Sequence, residues 1–221
     1  MEDTVRAKRI VVMVAMTMAI AVPGVARAQG PTAGPKAVVG VLGGLTFGTV
    51  TGGALAGQGA RQVAPGLFLT GEAGYMRNVL PKEVRDELDD FTAILRSELG
   101  VPVSLDVSMP ATYGFGGLRW SPASGGRVGP FLDGGVGVAH VRASIDKAEV
   151  LGIDIKDDVQ DELGSDGDAT KFLLALGGGV NAQMTRSLSV DLGFRYTRIA
   201  TADPAINSSM VYGALKVGLG R

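Results

Sequence analysis

The chain has 221 residues, of which 34 are glycine and none is cysteine, and its 21 basic and 22 acidic residues nearly cancel. The lack of cysteine excludes a disulfide framework and a thiolate metal site, and the balanced charge gives no basic footprint for nucleic acid. Charged residues make up only 19% of the chain, which together with the abundant glycine differs from an average soluble domain.

The N-terminus has the features of a secretory signal peptide. A basic start precedes an apolar run at 10–22 and the small-x-small sequence ARA at 26–28. The apolar run is shorter than the roughly 20 residues that a transmembrane helix needs. We therefore predict a signal peptide over 1–28, a flexible leader over 29–36 and a single domain over 37–221. An uncleaved membrane anchor is the alternative.

Eight segments of the remaining chain alternate apolar residues with polar or small ones, which is typical of strands with one apolar face. In SLSVDLGFRYT, leucine, valine and aromatic residues alternate with serine, aspartate, glycine and arginine. The alternation is weakest in the second segment. The predicted strands cover 37–47, 54–62, 67–76, 111–120, 130–140, 172–183, 187–197 and 210–220.

One long connection contains a predicted amphipathic helix. Its apolar residues recur at helical spacing: Val84, Leu88, Phe91 and Leu95. Pro81 suits the first helical position and Gly100 suits the end of the helix. A second long connection, 144–170, is polar and is predicted to lack strands.

The connections alternate in length along the chain. Those after the second, fourth and sixth predicted strands are short, and those after the third and fifth are long. Outer-membrane barrels have short turns at one end and longer loops at the other, whereas a sandwich has no reason to sort its loops in this way.

The less apolar strand face carries three acidic and three basic residues near mid-strand: Glu72, Asp133, Asp191, Arg119, Arg195 and Lys216. Its other positions are mostly glycine, alanine and threonine, which would leave room for ion pairs in a narrow lumen. A buried charge is costly unless it is paired. We therefore predict that these six residues form a lumen ionic network and that the apolar face meets lipid.

Aromatic residues stand toward the ends of several predicted strands. Four of them are candidates for an aromatic girdle at the membrane interface: Phe47, Tyr75, Trp120 and Tyr196. Transmembrane barrels carry such girdles where their outer surface passes from hydrocarbon to headgroups. This placement agrees with an apolar face that is turned outward.

These features together resemble the small eight-stranded outer-membrane β-barrels of the OmpA and OmpX type. The resemblance covers about 37–221 and rests on GGLTFG, PFLDGGVGVAH, KFLLALGGGV, DLGFRYTRI and a final strand containing Tyr-Gly. It implies an all-β, eight-stranded antiparallel transmembrane barrel with a short amphipathic helix in a long external loop. Such barrels usually end in phenylalanine or tryptophan, whereas this sequence ends in Leu219-Gly220-Arg221.

The resemblance also implies where the protein lies and what it meets. It places the chain in the cell outer membrane as a monomer, with both termini in the periplasm. The implied partners are outer-membrane lipid, lipopolysaccharide and, during biogenesis, the barrel insertion machinery.

No residue pattern indicates catalysis, a metal or a cofactor. His140 is the only histidine, and no nucleophile or carboxylate is singled out as its partner. The acidic sequence at 161–168 lacks the spacing of an EF-hand, and the glycine runs lack the Lys-Ser/Thr of a phosphate loop. We therefore predict a non-enzymatic protein without a catalytic site, metal or cofactor.

Several hypotheses for the function remain. The first is a structural or surface-interaction role through the external loops, and the second is a narrow channel or carrier for ions or small apolar molecules. A soluble periplasmic lipocalin-like binder would have the two faces exchanged, and the lone histidine gives little support to a barrel enzyme. The six charges could form a gate or a static core, and the helix could contact a partner, contact lipopolysaccharide or cap the barrel.

Overall fold

A computed structural model describes residues 36–48, 50–100, 103–122, 127–150, 153–154, 169–201 and 205–219. The predicted signal peptide lies outside the described residues, as does the predicted leader apart from Lys36. The acidic sequence at 161–168 and the final two residues lie outside them as well.

Eight of the strands close into one antiparallel barrel, which confirms the predicted fold class. The elements are β1 Ala37–Phe47, β2 Gly52–Ala64, β3 Leu67–Met76, α1 Lys82–Leu99, β4 Val103–Ser108, β5 Ala111–Trp120, β6 Val128–Val141, β7 Ser144–Val150, β8 Ile153–Asp154, β9 Ala169–Gln183, β10 Leu188–Ala200 and β11 Ile206–Leu219. Around the barrel the strand order is β1-β11-β10-β9-β6-β5-β3-β2. The weakly predicted second strand is a full member of this barrel.

The two ends of the barrel differ. One end, called here the short-turn end, holds the start of β1, the end of β11 and the connections β2–β3, β5–β6 and β9–β10. The opposite end, called the long-loop end, holds the two long connections, 77–110 and 142–168. This sorting of connections follows the pattern predicted from the sequence.

Within the described ranges, three strands lie outside the barrel, and the sequence analysis missed them. β4, β7 and β8 form a separate sheet in that order, so the prediction that 144–170 lacks strands is wrong for β7 and β8. The sequence SIDKAEV shows no clear alternation because its charged residues stand at adjacent as well as alternate positions. β11 begins at Ile206 rather than at 210, because the mostly polar sequence INSS forms its first four residues.

β4 and β7 pair with each other and continue the β5–β6 ladder beyond the long-loop end. The β4–β7 pair is called here the ribbon. Ala111 is paired with Val141, and three residues further along Ser108 is paired with Ser144. The backbone N–H of Arg142 donates to the carbonyl of Pro110 at 3.0 Å and joins the two ladders. At about 3.3 Å per residue, the six residues of β4 carry the ribbon about 20 Å along its axis.

α1 ends as predicted but begins one residue later. Pro81 is extended and precedes the first helical residue, and Gly100 adopts φ 64° and donates to the carbonyl of Arg96 at 3.1 Å. Left-handed backbone of this kind favours glycine at a helix end. Phe91 was predicted on the packed face but is 53% exposed, and Thr92 is buried instead. No helix in the described part of the chain is long and apolar enough to cross a membrane.

The outside of the barrel is an apolar belt. Its leucine and valine residues alternate with inward residues on every barrel strand and are largely exposed, Leu55 at 67% and Leu192 at 61%. A continuous apolar surface of this extent is far larger than soluble monomers leave open to water. Lipid is the medium that this surface fits, so the barrel spans a membrane and the lipocalin-like hypothesis is excluded.

Glycine on the inward face makes room for large side chains. A Cβ at Gly193 would lie 2.7 Å from the ring carbon Cζ of Tyr212, and one at Gly177 would lie 2.6 Å from Oδ1 of Asp133. Both contacts are closer than real Cβ atoms tolerate. Glycine at these two inward positions therefore allows a ring and a carboxylate to fit across a narrow eight-stranded lumen.

Candidate functional site

The lumen holds a first group of charges, called the lower tier, nearer the short-turn end. At its centre is Asp191, which is 0% exposed. Its carboxylate accepts hydrogen bonds from Arg119 at 2.5 Å and from Asn181 at 2.6 Å, and it forms an ion pair with Lys216. These four residues come from β5, β9, β10 and β11, so the lower tier ties half of the barrel strands together.

A second group of charges, called the upper tier, forms the next layer of inward side chains toward the long-loop end. Arg195 donates to Glu72 at 2.5 Å, and its other terminal nitrogen lies 3.7 Å from Asp133. The Tyr113 hydroxyl donates to Glu72 at 2.8 Å, and the Tyr212 hydroxyl lies 3.4 Å from Asp133. Glu72 is therefore tightly held, whereas Asp133 has only long contacts.

All six residues of the predicted ionic network point into the lumen, where the structure divides them between the two tiers. The lower tier has two cations and one anion, and the upper tier has one cation and two anions. The formal charges are thus +1 and −1, and they sum to zero. Pairing of this kind is what makes burial of charged side chains tolerable.

Aromatic rings inside the barrel cover the cations, and sequence reasoning missed most of them. The guanidinium of Arg119 lies 3.6 Å from the ring centre of Phe131. That of Arg195 lies 5.0 Å from the ring centre of Phe115 and 5.1 Å from that of Tyr212. Contacts at these distances are attractive cation–π interactions. Phe131 lies two residues from Asp133, and Phe115 lies four residues from Arg119. Residues at this spacing share a strand face, so the sequence could have placed both rings in the lumen.

An apolar layer fills the lumen between the upper tier and the long-loop end. Each of its main side chains is at most 3% exposed: Leu42, Met76, Val141, Leu173, Ile199, Ile206 and Met210. They come from β1, β3, β6, β9, β10 and β11 and pack together in the core. Below the layer, Arg195 Nε and Gln58 Nε2 are buried without a hydrogen-bond partner. Thr46, whose Oγ1 also lacks a hydrogen-bond partner, Thr197 and Ser208 are buried near the long-loop end as well. In the described part of the chain, the lumen is thus polar in one half and mainly apolar in the other.

The four predicted girdle residues lie on the outer surface. Phe47, Tyr75 and Tyr196 lie toward the long-loop end, and Trp120 lies at the short-turn end. The Tyr196 hydroxyl donates to Oδ1 of Asn207 at 2.7 Å, so its polar tip is satisfied where the belt gives way to polar residues.

His140 and the acidic residues offer no arrangement for metal chemistry in the described ranges. His140 faces outward on β6, and its Nδ1 lies 3.2 Å from the hydroxyl of Thr170. Within the residues that the structure describes, no group of three histidine or carboxylate side chains could hold a metal ion.

Comparison with known proteins identifies the fold. No protein-family model and no curated protein sequence matches the chain. Among solved structures, Neisserial surface protein A has a TM-score of 0.54 and 11% identity, covering 83% of this chain and 96% of that chain. The N-terminal β-barrel domain of Pseudomonas aeruginosa OprF has a TM-score of 0.46 and 8% identity over 83% and 98%. The outer membrane enzyme PagL has a TM-score of 0.43 and 15% identity over 83% and 99%.

Proposed function

We propose that this eight-stranded outer-membrane β-barrel is a non-enzymatic surface protein that presents an interaction surface at its long-loop end. The proposal rests on one observation: the helix and strands outside the barrel all lie in the connections of the long-loop end. The ribbon, β8 and α1 all belong to the two long connections, and α1 contacts β4. The barrel itself serves as the membrane-embedded scaffold that holds these elements.

α1 contributes an exposed surface of mixed character. Phe91 and Ile94 are each 53% exposed and, three residues apart on the helix, are neighbours on its surface. Asp90 and Glu87 are exposed beside them. An apolar pair next to carboxylates favours a partner that combines apolar and basic residues.

If the long-loop end faces the medium, α1 should be accessible from outside intact cells. The chain has no cysteine, so a single introduced cysteine is the only thiol that the protein offers. Glu87→Cys should react with a membrane-impermeant maleimide in intact cells, because this position is exposed on α1. Arg186→Cys, in the exposed β9–β10 turn, is the matched control and should react only after lysis. The opposite labelling pattern would place α1 in the periplasm and contradict the proposal.

The channel hypothesis has one supporting observation. The unpartnered nitrogens of Arg195 and Gln58 are polar groups that water would satisfy, so the polar half of the lumen is suited to hydration. The apolar layer nonetheless interrupts the polar lining, which supports a closed lumen, because a hydrated ion does not pass through closely packed apolar side chains.

We therefore expect purified barrels in planar bilayers with concentrated KCl to show no discrete current steps. Leu173→Gly and Ile199→Gly in combination should open the apolar layer, because both side chains are almost fully buried in it. Regular current steps from the unmodified protein would favour the channel hypothesis over the surface role.

A further inference from the structure

The basic residues of α1 all lie on one flank of the helix. On this flank Lys82 pairs with Asp86 at 3.4 Å. Next to this pair Arg85 lies 3.8 Å from Asp89. Arg96 follows Asp89 by seven residues, which is two helical turns, so the third basic residue of α1 belongs to the same flank. This side of the helix is called here the paired flank.

The other flank of α1, called here the acidic flank, has no basic residue. Its row consists of Glu83, Glu87, Asp90 and Ile94, which follow one another at spacings of four, three and four residues. Residues at these spacings are neighbours on a helix surface, and Phe91 lies beside the row for the same reason. All five side chains are exposed. Within the described ranges, none of the three carboxylates takes part in an ion pair.

Charge disfavours coverage of the acidic flank by the protein itself. Residues 155–168 of the other long connection lie outside the described residues, and six of them are acidic whereas one is basic. A second copy of the protein would bring the same acidic flank to the contact. Like charges that face each other at an interface cost free energy in both cases. The occupant that fits by charge is therefore a separate protein with a basic surface.

The charge of the whole long-loop end favours the same kind of partner. The two long connections, 77–110 and 142–168, together contain sixteen acidic and seven basic residues. The connections of the short-turn end contain no acidic residue. An excess of one sign over a surface steers partners of the opposite sign toward it.

We propose that the acidic flank binds a basic amphipathic helix of a separate protein. The lysine or arginine side chains of that helix meet the three carboxylates, and its apolar side chains pack on Phe91 and Ile94. The row on α1 extends roughly 16 Å along the helix axis and matches the row that residues three and four apart form on a second helix. The inference rests on the surface role proposed above and specifies the form of the partner that α1 binds.

A model peptide tests the contribution of the carboxylates. The probe is a helix of about 18 residues, five turns long, made of lysine and leucine with all leucines on one face. Its binding to the purified protein in uncharged amphipol is measured by fluorescence anisotropy. Glu87→Gln/Asp90→Asn should weaken binding about fivefold, because two exposed ion pairs are lost. Asp86→Asn/Asp89→Asn removes two charges at the same spacing from the paired flank and should weaken binding by about twofold or less.

The apolar contribution needs a variant and a peptide of its own. Phe91→Ala/Ile94→Ala leaves every charge in place and should weaken binding about tenfold, because the leucines of the peptide lose the apolar surface on which they pack. A peptide of the same composition, with leucines scattered around the helix, should bind the unmodified protein about tenfold more weakly for the same reason. Resistance of every variant to SDS before boiling serves as the check that each barrel is folded.

Three results would overturn the inference. Equal binding by Glu87→Gln/Asp90→Asn and the unmodified protein would show that the acidic flank is not the site. Equal weakening by the two charge variants would show that only the total charge of α1 matters. Equal binding of the scattered peptide would show that an amphipathic helix is not what α1 recognises.

The surface role and this inference fail by different results. Labelling of Glu87→Cys only after lysis would contradict the surface role, whatever the peptide does. Labelling of Glu87→Cys in intact cells, together with unchanged peptide binding by Glu87→Gln/Asp90→Asn, would leave the surface role intact and contradict the basic helix alone.

Discussion

Replacing Asp191 with alanine should destabilise the barrel by about 3–5 kcal/mol, the usual cost of breaking a buried ion pair from one side. The side chain is fully buried and holds two cations and an amide. Its removal would leave Arg119 and Lys216 close together without an anion in the lower tier. The free energy of unfolding, from reversible urea titrations of the protein in lipid vesicles, measures the loss.

Asp106→Ala is the matched control, since this carboxylate is exposed on β4. Surface substitutions of this kind usually change stability by about 0.5 kcal/mol or less. A similar small change for Asp191→Ala would mean that water reaches Arg119 and Lys216 in the folded barrel and that the lower tier is not a dry ionic core.

Glu72→Ala should have an effect of similar size, about 3–5 kcal/mol, by stranding the buried guanidinium of Arg195. Glu72 provides the short contact of that guanidinium at 2.5 Å, whereas Asp133 lies at 3.7 Å. Asp133→Ala should therefore cost clearly less than Glu72→Ala in the same urea titrations. An equal loss for the two variants would show that the carboxylates share the cation evenly.

Two further variants separate the charge from the hydrogen bond at Glu72. Tyr113→Phe removes only the hydroxyl that donates to Glu72 and should cost about 1 kcal/mol. Glu72→Ala combined with Arg195→Leu should cost less than the sum of the single changes, because the stranded charge is gone. Strict additivity of Glu72→Ala and Arg195→Leu would contradict a direct interaction between the two side chains.

The barrel strands were predictable from the sequence because each one alternates with a period of two. One-sided alternation identifies a strand without knowledge of its neighbours. α1 was predictable for a related reason, since Pro81 and Gly100 delimit a segment with helical spacing. Phe91 was misplaced because periodicity alone does not distinguish the packed edge of an apolar face from its exposed edge.

The two strands of the ribbon were missed for different reasons: the sequence of β7 shows no single apolar face, whereas β4 alternates valine and leucine with serine and aspartate but is only six residues long. β7 carries charged residues at alternate and adjacent positions, and β4 is a short run within a long connection. Their pairing depends on the β5–β6 ladder, which continues past Pro110 and Arg142. Only the three-dimensional arrangement of that ladder shows that the two long connections form one structure.

The sequence by itself determined which residues share a face, because side chains on a strand alternate whatever the strand pairs with. It therefore assigned the six charges to the face opposite leucine and valine. Which charge meets which was decided by the tertiary structure alone: Arg119 and Asp191 are 72 residues apart, and Glu72 and Arg195 are 123 apart. Closure of the barrel sets strand order and stagger, and these bring such distant side chains to the same level of the lumen.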